Sequence, residues 1–214
     1  VIVYSGGLDS FTLLHSLIDL GEFEIYALNF NYGQKHEKET LCAIEVCREL
    51  WIRYYNAVLP SEIFQGSALT GDTKVPEGHY EDETMRSTYV PNRNMVMLSM
   101  AISYAISIGA HDIFYGAHAG DHTIYPDCRP EFVAVMNAAS KIANYEHVAI
   151  HAPFMELEKK HVIDIGLDSG IDYGKTWTCY NGREKACGKC GSCQERLEAF
   201  AYNGIEDPLE YEDA

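Results

Sequence analysis

Strand-like and helical patterns alternate from the first residue of this chain, and that alternation restricts the fold more than any other feature. Val1, Ile2 and Val3 form a short β-branched run. Leu13, Leu14, Leu17 and Ile18 then recur at helical spacing ahead of Gly21, which predicts a helix over residues ~9–20. A strand is expected over 24–30, a helix over 37–50 and a strand rich in β-formers over 52–59. Further on, 94–108 reads as an apolar helix whose methionines belong in the core. A strand over 112–116, a helix over 130–145, a strand over 148–151 and helices over 156–168 and 194–202 complete the series. Alternation of this kind requires a parallel sheet with helices on both faces, a three-layer Rossmann-like α/β fold. Between 60 and 88 the pattern lapses for about thirty residues, and loops of that length commonly cover a site.

The first strand hands over to the first helix through Ser5, Gly6, Gly7, Leu8, Asp9 and Ser10, followed by Phe11. Adjacent glycines free backbone N–H groups to face a ligand, two serines add hydroxyl donors, and the positive end of the helix points at the same spot. Phosphate suits such a junction. It is not a Walker-type loop, because no G-x-x-x-x-G-K-[ST] occurs in the chain. Asp9 offers a hard oxygen to phosphate-bound Mg²⁺, or serves as a first-turn carboxylate favoured by the helix dipole. Polar clusters recur where parallel strands end, at Asn31 to His36 and Gly116 to Asp121, and ligands of open parallel sheets bind at that edge.

Seven cysteines are present, and Cys179, Cys187, Cys190 and Cys193 follow the spacing C-x7-C-x2-C-x2-C. Two successive C-x2-C intervals with Gly188 and Gly191 between them let four sulfurs converge on one ion. Four thiolates suit closed, structural Zn²⁺, with an iron–sulfur cluster as the alternative. Arg183, Lys185, Lys189 and Arg196 are the cations expected to offset the thiolate charge. Cys42 and Cys47 read as small apolar residues on a helix.

With 214 residues, 47% of them hydrophobic, one domain spanning 1–214 is expected, with a zinc-stabilised subregion at about 176–203. No apolar run approaches the ~20 residues of a membrane span, and no signal-type segment precedes the first strand, so the expected compartment is cytoplasmic. The chain opens without Met and already in a strand, so further N-terminal residues are expected ahead of this numbering. Acidic residues number 32 against 16 basic, a net charge of −16, which argues against a broad nucleic-acid surface.

The Ser5 to Ser10 loop resembles the S-G-G-x-D-S pyrophosphate loop of the adenine-nucleotide alpha-hydrolase superfamily. The whole set of motifs is similar to the 7-cyano-7-deazaguanine synthase family, nitrile-forming ligases of queuosine biosynthesis. Besides the loop, the matching segments are Tyr32 to His36, Val90 to Asn94, Asp121, the string from Tyr125 to Phe132, Lys159, and Thr176 to Cys179 with the three later cysteines. Lys35 and Asn31 depart from the Arg and Asp frequent there, and a lysine lacks the planar fork of arginine.

The resemblance implies that ATP, with Mg²⁺, activates 7-carboxy-7-deazaguanine toward ammonia, and that two ATP become two AMP and two pyrophosphate. It implies ATP contacts from Ser5 through Phe11. Asp9, Arg93, Asp127, Arg129 and Lys159 are the implied catalytic set, and Asp121, Tyr125, Asp127, Arg129 and Glu131 the substrate contacts. It also implies a homodimer without a nucleic-acid substrate. Another AMP-forming superfamily enzyme, whether a tRNA thiolase with Cys128 as its sulfur carrier or an amide synthetase, is the first alternative. A nucleotide- and zinc-binding regulatory module without turnover is the second.

Overall fold

The expected strands are present as β1 (Ile2–Val3), β2 (Tyr26–Asn31), β3 (Arg53–Val58), β4 (Asp112–Phe114) and β5 (Ala149–His151). The structure is a computed structural model that describes residues 1–79 and 85–212. Among those residues the strands form one sheet in the order β3-β2-β1-β4-β5, every pairing parallel. The chain builds outward from β1 in one direction and then returns to add β4 and β5 on the other side. The resulting switch point lies between β1 and β4, where the crevice of an open parallel sheet forms.

Helices cover both faces. These are α1 (Leu8–Leu20), α2 (Lys38–Glu49), α3 (Arg93–Ile108), α4 (Pro130–Ala143), α5 (Lys159–Asp168) and α6 (Gly191–Tyr202). The period-two pleat of β2 divides its side chains between two cores. Leu28 and Phe30 join Leu98, Ala101 and Ala105 of α3 and Met136 of α4. Ala27 faces the opposite core, with Leu14 of α1, Val46 of α2, Val162 of α5 and Phe200 of α6. Each fully buried Leu or Phe contributes about 1.5–3 kcal/mol through burial. Leu28→Ala would cost about 2–5 kcal/mol, because packed helices on that face cannot collapse into the gap.

Three expectations need correction. Only Met97 of the α3 methionines named for the core is buried, at 7% exposure; Met95 and Met100 are 45% and 37% exposed. They fall on the solvent-facing turn positions of a helix whose apolar content runs beyond its buried stripe. α5 begins at Lys159, three residues later than expected, because Glu158 is extended and serves as its N-cap. α6 begins at Gly191, earlier than expected, with Cys190 as its N-cap and Cys193 in its first turn.

The stretch expected as a loop over 60–88 contains 3-10 turns at Ser61–Phe64 and Arg86–Thr88. Phe64, Leu69 and Met85 anchor it in the core shared with α3 and α4. Glu77 pairs with Cys190 in an antiparallel bridge, and the Gly78 N–H donates to the Lys189 carbonyl at 2.8 Å. It thus packs against the cysteine-rich segment; its positions 80–84 lie outside the described residues.

Candidate active site

The Ser5 to Ser10 loop lies at the carboxyl end of β1, beside the switch point. Gly6 has φ +94°, and a Cβ there would stand 2.1 Å from the Glu39 carbonyl in the first turn of α2, so no other residue fits. The Ser5 hydroxyl accepts from the Gly7 N–H at 3.1 Å and lies 3.1 Å from the Ser10 hydroxyl, which donates to the Gly7 carbonyl at 3.1 Å. Asn29 Nδ2 donates to the carbonyls of Tyr4 and Ser5 at 2.8 and 3.2 Å, fixing the strand end. Gly7 caps α1 without a side-chain bond, which leaves first-turn N–H groups for a ligand. Leu8 and Phe11 are buried at 1% exposure each. The Phe11 ring packs edge-on against His15, and Phe11 does not line the cavity described below.

Lys159, at the first position of α5, is an unfavourable cation at the positive end of a helix. Acidic partners hold it there: its Nζ lies 2.7 Å from Asp9 Oδ2 and 3.4 Å from Glu195 Oε2. Burial opposes ionisation of Asp9, but the charge and hydrogen bond of Lys159, the nearby His118 and a backbone N–H together outweigh it and hold the carboxyl below its ordinary value. Burial raises the Glu195 carboxyl, and Lys159 and His118 only partly offset that. His118, 1% exposed, places Nε2 at 3.6 Å from Asp121 and 3.9 Å from Glu195. Asp9 Oδ1 is buried and has no hydrogen-bond partner among the described residues.

Arg93, at the start of α3, reaches into the same cavity. Its Nη1 donates to the Tyr32 hydroxyl at 3.2 Å, and its guanidinium lies 5.8 and 6.0 Å from the Tyr32 and Tyr125 ring centres. α3 starts from Asn92 at φ +61° with no cap from its own side chain. Asp127 supplies the cap from another segment: its Oδ2 accepts from the Asn94 N–H at 3.0 Å. Tyr125 is buried, with its hydroxyl 2.8 Å from that of Thr88. A cavity of about 240 Å³ is lined by Ser5, Gly7 to Ser10, Arg93, Asp121 and Lys159, with Tyr115, Trp177, Tyr180 and Glu195 among the rest. Asp127 adjoins it through Asn94.

Arg129 and Glu131 are not brought to this cavity. The Arg129 Nε–H donates to the His122 carbonyl at 2.7 Å, and its side chain lines a separate cleft with Arg86 and Tyr89. Glu131 is exposed in the first turn of α4. Conversely, Glu39, Glu195 and Tyr115 line the site without having been singled out from sequence. The only sequence signal for Glu39 was its i,i+3 relation to His36, whose Nε2 lies 3.3 Å from Glu39 Oε2.

The sulfurs of Cys179, Cys187, Cys190 and Cys193 all lie within 4.8 Å of one another, and all four residues are buried. Cys187 and Cys193 are 4.0 Å apart. Tetrahedral Zn²⁺ with bonds near 2.3 Å sets sulfurs about 3.8 Å apart, so the cluster is shaped to hold such an ion. The expected charge compensation needs revision. Arg196 is 1% exposed and committed to Asp207, its Nε and Nη2 at 2.7 and 2.9 Å from the two carboxylate oxygens. Arg183 and Lys185 pair with Glu212 and Glu210. Backbone dipoles do the work instead: N–H groups of Lys189 and Cys190 donate to Cys187 Sγ, and that of Cys187 to Cys179 Sγ. The cluster also frames the active cavity, since Trp177, Thr178, Tyr180, Ser192 and Glu195 belong to this segment.

A parallel 3-2-1-4-5 sheet with an S-G-G-x-D-S loop at the end of its first strand defines an adenine-nucleotide alpha-hydrolase-like protein. NMN synthetase from Francisella tularensis has a similar fold, with TM-score 0.52 and 13% identity over 96% of this chain and 76% of that one. The U34-tRNA thiolase NcsA from Methanococcus maripaludis, with its [4Fe-4S] cluster, has TM-score 0.50 and 14% identity over 94% and 65%. The family model for the queuosine biosynthesis protein QueC matches residues 1–204, and the chain belongs to that family. It is 59% identical to the 7-cyano-7-deazaguanine synthase of Marinomonas sp., covering 99% of this chain and 97% of that protein. The enzyme of the same name from Marinobacter nauticus is 57% identical over 99% and 96%.

Proposed function

We infer that the chain is an ATP-dependent ligase that converts 7-carboxy-7-deazaguanine and ammonia to 7-cyano-7-deazaguanine, with release of AMP and pyrophosphate. The observation that carries this reading is one cavity joining the glycine loop, the Asp9–Lys159 pair and Arg93. A carboxylate oxygen attacks the α-phosphorus of ATP and pyrophosphate leaves. Ammonia then attacks the acyl carbon, AMP departs with the C–O bond electrons, and loss of a proton gives the amide. In the second round the amide oxygen takes AMP from another ATP. Loss of protons from nitrogen and departure of AMP leave the C≡N bond.

In both rounds the loop N–H groups hold the β- and γ-phosphates, while Lys159 and Arg93 neutralise charge that develops around the α-phosphate. Asp9 Oδ1, buried without a partner, is an oxygen suited to Mg²⁺, which supplies charge neutralisation on the phosphates when bound. Asp121, Tyr125 and Asp127 are the proposed contacts to the deazaguanine, whose N1–H and exocyclic amine call for carboxylate acceptors. Arg129 and Glu131 are also proposed contacts, although both stand outside the cavity. The metal proposed for the four cysteines is structural Zn²⁺. A [4Fe–4S] cube, with each thiolate on its own iron, needs a wider spread of sulfurs than 4.8 Å.

The enzyme is proposed to act in the cytoplasm as a homodimer without a nucleic-acid substrate. Net charge −16 supports the last point, and exposed Val135 and Ile142 on α4 support association. No helix of the described residues is long and apolar enough to cross a membrane. Burial raises the Cys128 thiol well above its ordinary value, which disfavours a persulfide carrier of the thiolase type. Release of AMP and pyrophosphate, measured with and without the carboxylic acid and ammonia, tests the proposal. Strict dependence on both is expected; release driven by tRNA, or none, would contradict it.

A further inference from the structure

Glu39 stands at the second position of α2, where the helix dipole favours a carboxylate. Its side chain is 17% exposed and turned onto the glycine loop. A Cβ on Gly7 would lie 2.5 Å from Glu39 Oε1, while a Cβ on Gly6 would meet the Glu39 carbonyl at 2.1 Å and the Ala43 nitrogen at 2.8 Å. The two glycines therefore admit the first turn of α2 as well as a ligand. The carboxyl stands against the Gly7 backbone and lines the same cavity as Ser5 and Gly7, on the loop whose N–H groups the nucleotide reading above assigns to phosphate. A phosphate on that loop would stand beside the carboxylate, and the two like charges repel.

We propose that Glu39 is a further residue of the nucleotide site: its carboxylate competes with the phosphates for the anion position at the loop, and incoming phosphates exchange with it as it takes up one proton from solvent. The exchange converts the carboxylate to a carboxylic acid and changes no other bond. The inference rests on the nucleotide reading given under Proposed function.

Burial raises the Glu39 carboxyl to about 7, and the groups facing it explain why it goes no further. Ser5, Arg93 of α3 and the Gly7 N–H favour the charged form, and Asp9 of α1 disfavours it. Tyr4, Tyr32 and Cys42 face it as groups neutral at pH 7, each raised by burial. His36, lowered to about 4 by burial and by Arg93, is neutral as well. Above pH 7 Glu39 thus supplies a competing anion, and each further pH unit weakens phosphate binding about tenfold; below pH 6 the competition disappears.

The test is calorimetric titration of the full chain with inorganic pyrophosphate and Mg²⁺ at pH 6 and pH 8, in two buffers of different ionisation enthalpy. Glu39→Gln keeps the shape and removes the charge, and it also reports the titration of pyrophosphate itself. The wild type is expected to take up close to one proton more than E39Q at pH 8. It should bind pyrophosphate about tenfold more weakly than E39Q there, with the two alike at pH 6. Weaker binding by E39Q, or an equal proton count, would overturn the proposal. Should E39Q fold poorly, the wild-type proton count in excess of that of free pyrophosphate decides alone. Pyrophosphate binding that ignores Glu39 defeats only this inference, whereas no binding by either protein at any pH defeats the nucleotide reading with it.

Discussion

The Lys159 ammonium lies 2.7 Å from the Asp9 carboxylate, joining residues 150 positions apart across the mouth of the glycine loop. Two helix starts, those of α5 and α1, are fixed to each other by this pair, with Glu195 of α6 as a second acceptor. Lys159 must remain charged for the arrangement to hold, and its carboxylate neighbours outweigh its burial, raising its proton affinity above the ordinary amine range.

Lys159→Met leaves two half-buried carboxylates without their cation. Removing one partner of a buried pair costs about 3–5 kcal/mol, and the lower end applies here because the Asp9 side chain is 23% exposed. The Asp9 carboxyl is held below its ordinary value of 3.8, so the pair's stabilisation is present at neutral pH and lost as pH falls through that depressed value. Thermal melts should show the deficit of the variant at pH 7 and its shrinkage below pH 4. Pyrophosphate exchange into ATP should fall by about 100-fold or more. A variant with wild-type exchange would remove Lys159 from the mechanism.

Asp127 caps α3 through the Asn94 N–H and thereby sets the position of Arg93. Asp127→Ala should lower stability by about 1 kcal/mol, as expected for a lost cap, and reduce turnover more than that loss explains. Asp127→Asn, which keeps an acceptor oxygen, should recover the stability but not the turnover. Turnover restored together with stability in Asp127→Asn would reduce Asp127 to a cap. Arg129→Ala and Glu131→Ala measure two proposed contacts that do not line the cavity. Both should weaken the carboxylic acid's KM while leaving pyrophosphate binding unchanged.

The cysteine cluster holds Trp177, Thr178 and Tyr180 as one wall of the cavity. One zinc per chain is expected by elemental analysis. Stripping it with a strong chelator should lower the melting temperature and expose Trp177, which is 3% exposed, to fluorescence quenchers. Iron and labile sulfide in place of zinc would refute the assignment.

The alternation of strands and helices was legible in the sequence because parallel strands are buried on both faces and the helices between them carry clear apolar spacing. The glycine loop and the four cysteines were legible for a related reason: their chemistry depends on residues adjacent in the chain. What could not be read depends on pairs distant in sequence. Glu195 lies two residues beyond the last clustered cysteine, and only the packing of α6 beside α5 turns it toward Lys159. Asp127 stands in sequence just ahead of the helix that starts at Pro130, yet it caps α3. Arg196 was read as a counter-ion for the cysteines, but Asp207, eleven residues later, folds back to bind it. The start of α6 was misplaced because glycine and cysteine are poor helix formers, and closing the cluster outweighs that propensity.

The central claim is that a single loop activates the substrate twice. The ratio of AMP formed to nitrile formed, with mass-spectrometric detection of the amide between them, tests it most directly. Two AMP per 7-cyano-7-deazaguanine are expected, with no ADP and with turnover of the added amide at one AMP per nitrile. One AMP per nitrile from the acid, or an amide that the enzyme does not accept, would contradict it.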